Sequence, residues 1–317
     1  MKEKINTVVF HVTRKCNQIC PHCFFNSSPY SKEELTLRET ILGINDLKNA
    51  GIKEIKKFII SGGEPTLWPN LSKLINKIRL EYPLTKIRID TNGLTLFQTP
   101  KLFDIFKADI YDISVDIFHN QGLINKNELF IKKSGSSPLL DFFLNQRKKY
   151  KFQLFVRWIS DRNDNQLFRK FLNKYKSKVI IKKKFVTATG RGKLLPINIK
   201  SKGHLIADKP RNFSCLMGDS LILAINGYWY GCYYPVPFTK ICKAGKPNFK
   251  KKLKQLTDSF IYKKLSQKRI LDFLNYLKKK KPKYNKIINK IIQKRYWYRC
   301  QPCEEACRAK IFKKKYE

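Results

Sequence analysis

Residues 7–23 read TVVFHVTRKCNQICPHC, an apolar, β-branched run that ends in three closely spaced cysteines. Residues 7–13 have the composition of a buried strand. Cys16, Cys20 and Cys23, spaced Cys-x3-Cys-x2-Cys, follow on the loop beyond the strand's carboxyl end. In folds made of repeated strand–helix units, that rim is where active sites are built. Three thiolates on one tight loop can grip three irons of a [4Fe–4S] cube and leave the fourth iron open to a ligand. A zinc site formed by the same cysteines with His22 is the competing reading.

Outward from this loop, short β-rich runs alternate with helical patterns, which predicts repeated βα units and a parallel sheet. Strands are expected at residues 58–61, 87–90, 111–115, 152–159 and 178–187. Helices are expected from a Thr36/Glu39 capping box to Gly51, after Pro69, and over 139–150 and 165–175. Six such units with right-handed crossovers would curl into a partial (β/α)6 barrel. Beyond about Gly203 the pattern changes to short strands around Asn226-Gly227, then a Lys-rich helical stretch and the last cysteines. The expected domains are therefore a barrel over 1–205 and a small cysteine-rich domain with a β-hairpin and helices over 206–317.

The longest apolar runs, such as residues 221–225, are far too short to cross a membrane. The amino terminus carries no signal-peptide pattern, so the expectation is a soluble cytoplasmic protein. Nine cysteines in a reducing compartment point to metal ligation rather than to disulfides. The formal net charge is +42, and twenty Lys/Arg between Lys243 and Arg299 face only Asp258 and Asp272. Aromatic residues of that stretch adjoin one another only at Tyr296-Trp297-Tyr298, and the expectation is a solvated basic face rather than a nucleic-acid site.

Further motifs fall in order at the carboxyl ends of the expected strands: Ser61-Gly62-Gly63-Glu64-Pro65, Thr91-Asn92-Gly93 and Ser114-Val115-Asp116. With the cysteine loop, this ordered set resembles the radical S-adenosylmethionine superfamily. One departure is His22, where most members carry an aromatic residue that packs near adenine. The resemblance implies a first [4Fe–4S] cluster on Cys16, Cys20 and Cys23, with S-adenosylmethionine at its open iron. It also implies an external electron donor such as flavodoxin or ferredoxin. Reductive cleavage would then give methionine and a 5′-deoxyadenosyl radical that abstracts a substrate hydrogen atom. Gly62, Gly63 and Glu64 offer acceptors for the cofactor's ammonium, and Asn92 and Ser114 suit ribose hydroxyls or its carboxylate. Arg157 could pair with that carboxylate, or serve as a satisfied structural arginine.

Asn226-Gly227 between two apolar runs is a hairpin signal that would bring Cys215 and Cys232 together. Cys300-x2-Cys303-x3-Cys307 supplies further thiolates, enough for a closed site holding either a second [4Fe–4S] cluster or zinc. The spacing resembles the SPASM and Twitch auxiliary-cluster domains of radical enzymes that modify ribosomally made peptides. Their full pattern is abbreviated here, and the resemblance implies Cys215, Cys232, Cys300 and Cys303 as ligands. Cys307 would be an alternate ligand, and Cys242 or Cys307 a hydrogen-atom donor, with an inert thiol favoured for Cys242. Gly190-Arg191-Gly192 also resembles a short motif of such proteins. The expected function is radical modification of a peptide or protein, by epimerisation or cross-linking. RNA or a small metabolite as substrate, and a non-catalytic zinc or iron–sulfur module, are the alternatives.

Overall fold

A computed structural model describes residues 4–123, 128–160, 165–185, 191, 220–230, 240–258, 274–275, 278–279 and 282–293. The chain forms two compact units, one from residues 10–37 and 57–204, the other with its described residues in 1–9, 38–56 and 205–317.

The chain begins with βα repeats. In chain order come β1 (Lys4–Thr13), α1 (Leu37–Asn49), β2 (Glu54–Gly62), α2 (Leu71–Glu81), β3 (Lys86–Thr91), α3 (Leu94–Gln98) and α4 (Leu102–Phe106). β4 (Ile110–Ser114), α5 (Ile117–Gln121), α6 (Pro138–Tyr150), β5 (Gln153–Ser160), α7 (Asn165–Tyr175) and β6 (Ile180–Phe185) follow. The strands stand in the order β6-β5-β4-β3-β2-β1, and β2 through β6 pair in parallel. This is the mixed α/β, parallel-sheet core of a partial barrel that the alternation predicts. The short helices α3, α4 and α5 escape sequence reading because each has only five residues, less than two turns of pattern.

Period-2 burial explains how the sheet presents two faces. Along β5, Leu154, Val156 and Trp158 are buried, whereas Phe155, Arg157 and Ile159 lie partly open on the other face. The buried face carries the helices. Trp158 packs on Phe171 of α7 with ring centroids 4.9 Å apart, and Phe103 of α4 stacks on Phe152 at 5.3 Å. Ser137 caps α6 by accepting from the Leu140 amide at 3.1 Å.

In the second unit, β7 (Ser220–Leu223) and β8 (Tyr228–Tyr230) form the hairpin expected at Asn226-Gly227, where Gly227 has a φ of 73°. A third antiparallel strand, β9 (Lys240–Lys243), extends it before the Lys-rich helix α8 (Phe249–Asp258), where sequence reading expects helix alone. Helix α9 (Asn285–Gln293) lies further on, with Ile288 and Ile291 buried. Asp46 of α1 ties this unit together, accepting from Trp229 Nε1 at 3.0 Å and from the Gly245 amide at 2.9 Å. No helix among the described residues is long and apolar enough to cross a membrane.

Candidate active site

The cysteine loop leaves the end of β1 and is folded back on itself. Backbone bonds from Arg14 to Glu33, Cys16 to Ser28 and Leu35 to Val12 close the 14–35 segment at 2.8, 3.1 and 2.8 Å. Inside it, the Cys23 amide donates to Cys20 O at 3.1 Å, and the Ser27 amide points at Cys23 Sγ at 3.3 Å. Asn92 Nδ2 points at Cys16 Sγ at 3.7 Å. None of the three cysteines is in a disulfide; Cys16 and Cys20 are buried.

These thiols are poorly disposed to ionise alone. Burial first, and then the Glu64 carboxylate, push Cys16 up to about 12, and burial drives Cys20 well above the ordinary thiol value. Thiolates here call for a positive partner, which a metal group supplies. Among the described residues, the metal-ligating trio whose ligand atoms lie within 4.8 Å of one another is His22, Asp116 and His119, not the cysteines. Ligands of one zinc ion stand about 4 Å apart, as Zn–S bonds of about 2.3 Å require. Thiolates at the separate corners of a cube need not meet at one ion.

The glycine pair packs this loop against the next one. The Gly63 amide donates to Thr13 O at 2.6 Å and the Glu64 amide to Lys15 O at 2.9 Å. A Cβ on Gly62 would stand 2.3 Å from Thr13 O, and one on Gly63 would stand 2.4 Å from Lys15 O. The close approach that demands glycine is therefore to the backbone of the cysteine loop. Glu64 is fully buried. Its Oε1 accepts from the Thr66 amide at 3.1 Å, Thr66 Oγ1 at 2.6 Å and Thr91 Oγ1 at 2.7 Å, and its Oε2 from the Asn92 amide at 2.7 Å. It brackets the loops after β2 and β3, with burial raising its pKa against these donors. Asn92 continues the bracket, donating to Asn17 Oδ1 at 2.8 Å and accepting from the Leu94 amide at 3.0 Å.

Helix α5 holds the opposite side of the loop. Gln18 Nε2 donates to His119 O at 2.9 Å and the Ile19 amide to Gly122 O at 3.3 Å. A Cβ on Gly122 would meet Cys20 Sγ at 2.6 Å. Asp116 caps the helix, its Oδ1 accepting from the His119 amide at 3.0 Å and meeting His119 Nδ1 at 2.9 Å. Burial pushes Asp116 up, but the His119 contacts outweigh it and hold the carboxyl below its ordinary value. His22 packs its ring on Phe118 and His119, with centroids at 5.1 and 4.9 Å.

Ser114 ends β4, partly exposed and in register with Arg157. Arg157 is engaged by two aspartates, with Nη2 at 2.9 Å from Asp90 Oδ2 and 3.3 Å from Asp112 Oδ2. Arg88 bonds the same two carboxylates, and Lys182 Nζ reaches Asp112 Oδ2 at 3.5 Å. Sequence reading misses this layer, although charged residues at alternate positions of β3 through β6 are its signal. Cys242 lies buried in β9, its thiol pushed up to about 11 by burial first and then by Asp46. Cys215, Cys232, Cys300, Cys303 and Cys307 lie outside the described residues.

Residues 10–142 match the family model described as Radical SAM superfamily. The chain is 34% identical over 140 residues to the S-adenosylmethionine-dependent nucleotide dehydratase RSAD2 of Siniperca chuatsi, covering 43% of this chain and 36% of that one. It is 28% identical over 165 residues to the GTP 3',8-cyclase of Staphylococcus epidermidis, covering 49% and 46%. The chain thus spans less than half the length of these curated relatives. Among solved structures, native anSMEcpe with bound AdoMet superposes with a TM-score of 0.58 over 95% of both chains, at 17% identity. The same protein with AdoMet and the Cp18Cys peptide gives 0.59 at 16% identity, again over 95% of both. The fold is shared across these pairs. The motif order and the loops that present it lie within residues 10–142, which match the radical SAM superfamily, whose enzymes use a [4Fe–4S] cluster and S-adenosylmethionine.

Proposed function

We propose that Cys16, Cys20 and Cys23 hold the catalytic [4Fe–4S] cluster of a radical SAM enzyme whose substrate is a peptide or protein. The carrying observation for the cluster is the loop itself, three free cysteines on a segment fixed from β2, β3 and α5. When bound, the cluster and S-adenosylmethionine supply a 5′-deoxyadenosyl radical. The chain's own residues orient and enclose them. Glu64 and Asn92 hold the loops after β2 and β3 in register with Cys16, and Gly62 and Gly63 let the backbone close against Thr13 and Lys15. Ser114, partly exposed at the end of β4, would serve a ribose or carboxylate oxygen, and Arg157 stands in register with it on β5, ion-paired to Asp90.

The peptide reading is supported by the extent of the fold likeness. It runs over 95% of both chains for the anSMEcpe complex with Cp18Cys peptide, beyond the residues that match the family model. The reading includes domains at 1–205 and 206–317, the latter with an auxiliary cluster on Cys215, Cys232, Cys300 and Cys303 and with Cys307 as an alternate. A nucleotide substrate is the second reading, favoured by what the curated relatives of the first half act on. The deciding experiment incubates anaerobically reconstituted, reduced protein with a short peptide encoded beside its gene, or with GTP, and measures 5′-deoxyadenosine. Stimulation and a mass change confined to the peptide are expected. Stimulation by a nucleotide alone overturns the peptide reading.

A further inference from the structure

Arg191 reaches the cysteine loop from more than 160 residues further along the chain and directs four hydrogen bonds into it. Its amide donates to Cys23 O at 2.9 Å and its Nε to Cys20 O at 2.9 Å. Its Nη2 donates to Ser27 O at 2.6 Å and its Nη1 to Asn26 Oδ1 at 3.4 Å. Two of these acceptors are carbonyls of proposed iron ligands. The other two belong to Asn26 and Ser27, and Asn26, with a φ of 56°, is the left-handed bend that turns the loop back. A single planar fork thus fixes the backbone on both sides of the Cys20–Cys23 turn, and with it the directions of the two sulfurs.

The charge has a second consequence. The Arg191 guanidinium lies against the Cys20, Asn26 and Ser27 oxygens, so it sets a positive charge on the backbone of the cysteine loop. A guanidinium stays charged at any working pH, so its field on the loop is permanent.

We infer that Arg191 is a positioning residue for the cluster, holding the three-cysteine loop in its liganding shape and favouring the one-electron-reduced state by its charge. Reduction adds one electron, and so one negative charge, from an external low-potential donor. A fixed cation on the liganding loop would stabilise the reduced state of a cluster held there over the oxidised state. The inference rests on the cluster assignment proposed above, and it concerns the cluster rather than the substrate.

The test uses the full chain, reconstituted anaerobically as wild type, Arg191→Lys and Arg191→Gln. Iron per chain is followed during chelator challenge, and the midpoint potential by dithionite titration with electron paramagnetic resonance, both without S-adenosylmethionine. Both variants should lose iron about tenfold faster, the scale for removing an outer partner of a metal ligand. Arg191→Gln should move the midpoint to more negative potential, while Arg191→Lys, which keeps the charge without the fork, should stay near wild type. If Arg191→Gln holds too little cluster to titrate, the lysine variant decides, because a negative shift there contradicts the charge role. Iron loss with unmoved potentials in both variants makes Arg191 merely structural, and unchanged iron retention removes the loop role. A wild type that binds no iron–sulfur cluster overturns the proposed function itself, and this inference with it.

Discussion

Buried carboxylates occur in two regions of this barrel and are satisfied in opposite ways. At the rim, Glu64 accepts only from backbone amides and threonine hydroxyls, and Asp116 caps α5 through His119. Along the strands, Asp90 and Asp112 face Arg88, Arg157 and Lys182. Neutral donors fix direction at the rim, where loops must present cysteines at set angles. Cations neutralise charge on the strands, where the sheet already fixes direction. Geometry is thus built at the rim with hydrogen bonds and supported from the strands by ion pairs.

The largest expected effect breaks the rim. Glu64→Ala strips the acceptor from the Thr91 hydroxyl and from the Thr66 and Asn92 amides. It should cost about 4 kcal/mol in urea denaturation, at roughly 1–3 kcal/mol for each orphaned buried donor. Glu64→Gln, which keeps one acceptor oxygen, should cost about half as much. On the strands, Asp112→Asn should cost about 3 kcal/mol, because three cations share that carboxylate. Adding Lys182→Met should return part of this loss, and a strictly additive double mutant would show that the two groups are not coupled.

A smaller effect lies in pH. Burial depresses the His11 pKa from 6.5 to about 4, opposed by Asp90. The unfolded chain therefore takes up a proton below pH 6.5 that the folded chain refuses until about pH 4. Stability is lost as pH falls through that window. Between pH 7 and 5, wild type should lose about 2 kcal/mol more than His11→Phe. Equal losses would place the titration elsewhere. The smallest effect belongs to the other unit, where Asp46→Asn keeps one acceptor for Trp229 or Gly245 and should cost about 1 kcal/mol.

Much of the barrel was legible because its elements are periodic and its motifs lie at strand ends. The strand at 7–13, the helix at 165–175 and the Asn226-Gly227 hairpin are found where pattern puts them. The partners of the motif residues were not legible. Ser61-Gly62-Gly63-Glu64 reads alike whether its glycines approach a ligand or another loop, and here Thr13 and Lys15 are the neighbours. Arg157 reads equally as a carboxylate receptor or a structural arginine until the fold pairs it with Asp90 and Asp112. β9 was missed because Lys240–Lys243 is short and its two lysines mask the buried Ile241 and Cys242.

The most direct test of the account replaces Cys16, Cys20 and Cys23 together with alanine and measures S-adenosylmethionine cleavage after anaerobic reconstitution and reduction with dithionite. Wild type should form 5′-deoxyadenosine and show the signal of a reduced [4Fe–4S] cluster that changes when S-adenosylmethionine is added. The triple variant should form none and lose that cofactor-sensitive signal, while iron elsewhere in the chain remains. Undiminished 5′-deoxyadenosine from the triple variant would contradict the assignment of these three cysteines to the catalytic cluster.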